Sequence, residues 1–93
     1  MEKYSQEGID ANLKSLQGWK YNGHALEKTF NFKDFIETFA FMTRIALLAE
    51  KNNHHPDWQG GYNTLNIQLS SHDAGGITSR DFKLASLIDF LKS

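Results

Sequence analysis

Residues 34–56 read DFIETFAFMTRIALLAEKNNHHP, and the fold follows from how this stretch starts, repeats and stops. Asp34 and Glu37 stand at the spacing of a capping box, with Asp in place of the usual Ser or Thr. Phe35, Phe39, Met42, Ile45 or Ala46, and Ala49 then recur at helical period and predict an apolar stripe. Asn52 or Asn53 suits a left-handed helix end. Pro56 bars any continuation. The stretch is therefore a long helix over residues 34–52 that delivers a histidine pair at its end.

Upstream, residues 5–17 predict a shorter helix. Ser5 is a good N-cap, Tyr4 and Ile9 have staple spacing, and Ile9, Leu13 and Leu16 share a face. Gly18 stops it. Residues 19–21 alternate as a strand does, Asn22-Gly23 signals a hairpin turn, and Leu26, Lys28, Phe30 and Phe32 alternate with polar neighbours in a second strand. Downstream, residues 57–61 and 64–71 read as two more strands, the latter carrying Leu65, Ile67 and Leu69 on one face. After a loop at residues 73–76, Thr78 and Asp81 match a capping box, and Ile77 and Phe82 a staple, at the head of a last helix. The order αββαββα predicts an α+β fold: a four-stranded antiparallel sheet with three helices packed on one face. The 93 residues contain no repeat or linker and read as a single domain, 1–93.

Composition narrows the function classes. The net charge is −1 and the basic residues are scattered, against direct nucleic-acid binding. No stretch is apolar and long enough to span a membrane, and the N-terminus is polar and unlike a secretory signal. With no cysteine there is neither a disulfide nor a thiolate metal site, and a cytoplasmic location is expected.

Three of the four histidines fall at element ends: His54 and His55 after the long helix, His72 after the last strand. Imidazoles exchange protons near neutral pH, so a pocket holding several of them suits acid–base chemistry. Plainer explanations stand beside this one. A histidine pair can simply meet the negative end of a helix. Asp81 is explained by capping alone. His24, beside the hairpin turn, reads as solvated, and Trp58 and Tyr62 as packing residues. His54, His55, His72 and Asp81 are all metal-ligand types, but no HxH, HxxxH or HExxH spacing is present and no metal is expected. A triad of Ser70 or Ser71 with His72 and Asp81 lacks a nucleophile-elbow pattern.

Glu50, His54-His55-Pro56, Tyr62, His72 and Asp81, at their spacings here, resemble the active-site pattern of the pterin-4a-carbinolamine dehydratases. The segments FNFKDFIETFAFMTRIALLAEKNNHHPDW and HDAGGITSRDFKLASLID are similar to that family's central helix and closing segment, and the likeness spans residues 19–91. The resemblance implies the same αββαββα fold, a 4a-hydroxytetrahydropterin substrate, and loss of water to give quinonoid dihydropterin in tetrahydrobiopterin recycling. It implies no metal or organic cofactor. It assigns His54, His55, His72 and Asp81 to catalysis, and Asn53, Pro56, Ser70, Ser71 and Asp73, together with the three histidines, to the pterin site. It further implies a homodimer or homotetramer, which would also cover the edge strands of so small a sheet. A rival from another class is a protein-binding module, since relatives act as transcriptional coactivators or assembly factors.

Overall fold

The computed structural model describes residues 2–92. In chain order the elements are α1 (Gln6–Leu13), β1 (Lys20–Tyr21), β2 (Leu26–Asn31), α2 (Phe35–Lys51), β3 (Asp57–Gly60), β4 (Thr64–Leu69), a 3₁₀ turn (His72–Ala74) and α3 (Ser79–Lys92). The strands form one antiparallel sheet in the order β1-β2-β4-β3. This is the expected α+β arrangement, with all three helices against one face.

The helix starts obey their local chemistry. The Ser5 hydroxyl accepts from the Gly8 N–H at 3.1 Å, and Asp34 accepts from the Glu37 N–H at 2.9 Å. At each site a side chain satisfies a donor that the first turn leaves unpaired. Asn53, at φ 50°, ends α2 in the left-handed region, and the His54 N–H then bonds the Ala49 carbonyl at 3.1 Å. The chain therefore reverses at the end of α2, with His54 turned inward and His55 left exposed.

Register does the rest. Leu26↔Leu69, Lys28↔Ile67 and Phe30↔Leu65 pair across β2 and β4, which puts the apolar positions of both strands on the helix-covered face. There they meet Ile9, Phe41, Ile45, Phe82, Leu84 and Ile88 in one cluster. Each such side chain contributes about 1.5–3 kcal/mol by leaving water. Lys28 shares this face at the sheet margin. Its ammonium lies 2.9 Å from Asp89 and also donates to the Gln17 carbonyl. The opposite face is polar: Asn22 and Asn66 donate to the Glu27 carboxylate. These bonds, Asn22 first, hold Glu27 below the usual glutamate range.

Three expectations are corrected. The central helix does not bury Phe35 and Phe39, which are 48% and 56% exposed; Thr38, Phe41, Ile45 and Ala49 face the core instead. The helix carries apolar residues on two faces, and periodicity alone did not say which one the sheet covers. The first helix stops at Leu13, and residues 14–18 continue as turns before Gly18, at φ 80°, reverses the chain. The hairpin connection spans residues 22–25, because Asn22 Oδ1 accepts from the N–H groups of both His24 and Ala25 and so widens the turn.

Candidate active site

At one end of the sheet the α2 terminus, the start of β3 and the exit of β4 enclose a cleft of about 320 Å³. Asn53, His54, His55, Pro56, Ser70, Ser71, His72 and Asp73 line it, joined by Asp57. All eight positions expected to bind substrate thus border one concavity, although they come from two separate segments. Asp81 does not border it.

Asp81 lies behind His54, fully buried. Its Oδ1 is 2.6 Å from His54 Nε2, while Oδ2 accepts from the Ser71 hydroxyl at 2.9 Å and from the Thr78 N–H at 2.8 Å. The last bond is the reciprocal half of a capping box, so Asp81 caps α3 and holds a histidine with one carboxylate. His54 is only 8% exposed. With Nε2–H directed at a carboxylate, the ring's remaining exchangeable position is Nδ1, whose lone pair accepts a proton when the ring is neutral. Burial strengthens this charge-assisted bond and fixes the ring plane.

The other two imidazoles are exposed and also have carboxylate neighbours. His55 Nε2 lies 2.9 Å from Glu50 Oε1, and His72 Nε2 lies 3.5 Å from Asp57 Oδ2. The cleft thus combines one buried imidazole bound to a carboxylate with two exposed ones. Such a set can take a proton from a bound molecule and return another to it from a second direction.

Ser71 is fully buried, with its hydroxyl engaged by Asp81 and by Thr78 Oγ1 at 2.8 Å. It lines the cleft wall while its polar atom faces inward. Asp73 is held by Arg80, whose guanidinium hydrogen bond keeps the carboxyl below the usual range; Asp73 in turn raises Arg80. Among the described residues, no three of His, Asp and Glu gather in an arrangement that could hold a metal ion.

Sequence reasoning missed Asp57 as a cleft residue. Its place beside His72 comes from the Asp57↔Gln68 register of β3 on β4, which no local signal announces. The Glu50–His55 pair was available in principle, as both stand near the end of one helix, five residues apart.

A model of the family described as "Pterin 4 alpha carbinolamine dehydratase" matches residues 2–91. A protein of Rhizobium johnstonii named "Putative pterin-4-alpha-carbinolamine dehydratase" is 46% identical over 91 residues, covering 96% of this chain and 90% of its own. One of the same name from Afipia carboxidovorans is 54% identical over 83 residues, covering 87% and 83%. Among solved structures, a transcriptional coactivator/pterin dehydratase from Brucella melitensis superposes with a TM-score of 0.94 at 34% identity, covering 99% of this chain and 100% of that one. A pterin dehydratase-like protein identified as a RuBisCO assembly factor in the alpha-carboxysome superposes with a TM-score of 0.69 at 27% identity, covering 81% and 89%.

Proposed function

The chain belongs to the pterin 4 alpha carbinolamine dehydratase family, and from that premise we propose that it catalyses the dehydration of a 4a-hydroxytetrahydropterin to quinonoid dihydropterin, as a step in tetrahydrobiopterin recycling in the cytosol. The observation that carries the proposal is the cleft in which His54, His55 and His72 meet, with the buried His54 fixed by Asp81.

The reaction balances on proton transfers alone. The C4a–O bond breaks as the leaving hydroxyl takes a proton from an acid and departs as water. A base removes the proton from N5, and that electron pair closes the C4a=N5 double bond. Nothing is oxidised. Imidazoles serve both roles near neutral pH, and positioned groups of this kind contribute about 10²–10⁴-fold each. His54, His55 and His72 share the two roles. Asp81 is a positioning residue: it fixes the tautomer of His54 and stabilises its charged form. Asn53, Pro56, Ser70 and Asp73 border the ring, and Ser71 supports it from behind through Asp81. The test is the rate of dehydration of a 4a-hydroxytetrahydropterin generated in situ, with His54→Ala and His72→Ala as controls. No acceleration by the purified chain overturns the proposal.

A second reading, association with other proteins, is favoured by one observation. Phe35, Ile36, Phe39 and Leu47 stand 48–79% exposed on the outer side of α2. So much apolar surface on one helix marks an interaction site. We assign it to self-association as a homodimer or homotetramer; a coactivator-like or assembly partner is the alternative occupant. Light scattering that gives the 10.6 kDa monomer at all concentrations overturns the self-association.

A further inference from the structure

The cleft does not end at His72. Beyond that side chain a second concavity of about 280 Å³ shares Ser70, Ser71 and His72 with the first, and adds Tyr21, His24 and the glycine backbone at 75 and 76. Its far wall is the β1–β2 connection, which is tied down by the side chains of Tyr21 and Asn22 bonding its main chain. Asn22 Oδ1 accepts from the His24 and Ala25 N–H groups, both at 2.8 Å, and the Tyr21 hydroxyl donates to the Gly23 carbonyl at 3.1 Å. None of these bonds uses the His24 imidazole, which has no hydrogen bond or ion pair among the described residues. On the near side Gly75, at φ 72°, has no atom within 4 Å of where a Cβ would stand, so the cleft is open there. The result is an exposed imidazole on a fixed turn, in a concavity that adjoins the candidate cleft through Ser70, Ser71 and His72, with the Lys3 side chain beside Gly76.

Substrate chemistry links the two halves. In a 4a-hydroxytetrahydropterin the first atom of the C6 substituent is three bonds from the reacting C4a, through N5 and C6. With C4a among His54, His55 and His72 and the N5 edge of the ring turned toward His72, the substituent leaves the ring beside the one imidazole that lines both concavities. At about 320 Å³ the first cleft sits at the lower limit of ligand pockets, roughly 300 Å³. The second concavity adds about 280 Å³ for a substituent that extends past the ring.

We propose that this second cleft is the subsite for the C6 substituent, and that His24 is the specificity residue for substituents bearing hydroxyl groups. The inference rests on the dehydratase reading above. A neutral imidazole offers one donor and one acceptor, which matches a chain with neighbouring hydroxyls. The Tyr21 ring flanks its carbon skeleton.

The experiment compares kcat/KM for two 4a-hydroxytetrahydropterins generated in situ, one with a 6-(1,2-dihydroxypropyl) chain and one with a 6-methyl group. His24 is exposed, so its replacement leaves the core intact. In His24→Ala the ratio of dihydroxypropyl to methyl kcat/KM is expected to fall roughly three- to tenfold, chiefly through KM, as one or two modest hydrogen bonds are lost. His24→Gln, which keeps a donor and an acceptor, recovers part of the ratio. A wild-type chain active on both substrates whose ratio is unmoved in His24→Ala overturns the subsite alone. A wild-type chain inactive on both overturns the dehydratase reading and the subsite with it.

Discussion

Replacing Asp81 by asparagine changes a single atom in the buried shell beneath the cleft. The wild-type carboxylate accepts from His54 Nε2–H, the Ser71 hydroxyl and the Thr78 N–H. In Asp81→Asn the amide oxygen keeps the last two, because a backbone N–H can only donate. The amide NH₂ then faces His54 Nε2 as a donor, and the imidazole must adopt the opposite tautomer, with its proton on Nδ1. That removes the Nδ1 lone pair and the charge that stabilises the imidazolium together. Dehydration is expected to fall by about 10²–10⁴, the worth of one positioned acid–base group. Stability falls far less. Exchanging a charge-assisted bond for a neutral one costs about 1 kcal/mol, or about 4–8 °C in Tm for a domain of this size. Asp81→Ala is the contrasting case, since it orphans all three donors at about 1–3 kcal/mol each and threatens folding itself. The assay is steady-state dehydration with thermal melts alongside, and nitrogen NMR to read the His54 tautomer. A folded Asp81→Asn variant with the exchanged tautomer and wild-type activity refutes the reasoning.

Other outcomes follow from the same structure. The folded-state pKa of Glu27 is depressed, so its contribution to stability is full above the unfolded value and is lost as pH falls through the folded one; carbon NMR should place its midpoint below 4.5, and Asn66→Ala should raise it. Asn53→Gly should be neutral or stabilising because residue 53 sits at φ 50°, whereas Asn53→Val should lower Tm through strain of about 1–3 kcal/mol. Ile45→Ala opens a cavity at a fully buried position and should cost about 2–5 kcal/mol in denaturant melts. Phe39→Asp, on the outer face of α2, should shift light scattering toward the monomer while the far-UV spectrum stays native; an unchanged mass places the contact elsewhere.

The parts of the fold legible in the sequence are those fixed by local chemistry. Asp34 before Glu37, Asn53 before Pro56, and Thr78 before Asp81 each announced a helix boundary within a residue of where it lies, because capping needs particular side chains at fixed offsets. Leu65, Ile67 and Leu69 announced a half-buried strand for the same kind of reason. What depends on tertiary pairing was not legible. Phe35 and Phe39 obey the helical period as well as Phe41 and Ile45 do, and only the sheet decides which pair is covered. Asp57 reaches His72 through a cross-strand register. Ser71 turns its hydroxyl away from the cleft because Asp81 sits beneath it. The histidines themselves were legible as a set, since all three fall at element ends. That His54 alone is buried depends on α3 packing its Asp81 behind the α2 terminus.

The most direct test of the central claim is a stopped-flow comparison of 4a-hydroxytetrahydropterin decay with and without the purified chain at neutral pH. The expected result is a decay accelerated in proportion to protein concentration, with the acceleration removed in His54→Ala and strongly reduced in His72→Ala. A decay rate that the wild-type chain does not change, or an acceleration that survives both substitutions, contradicts it.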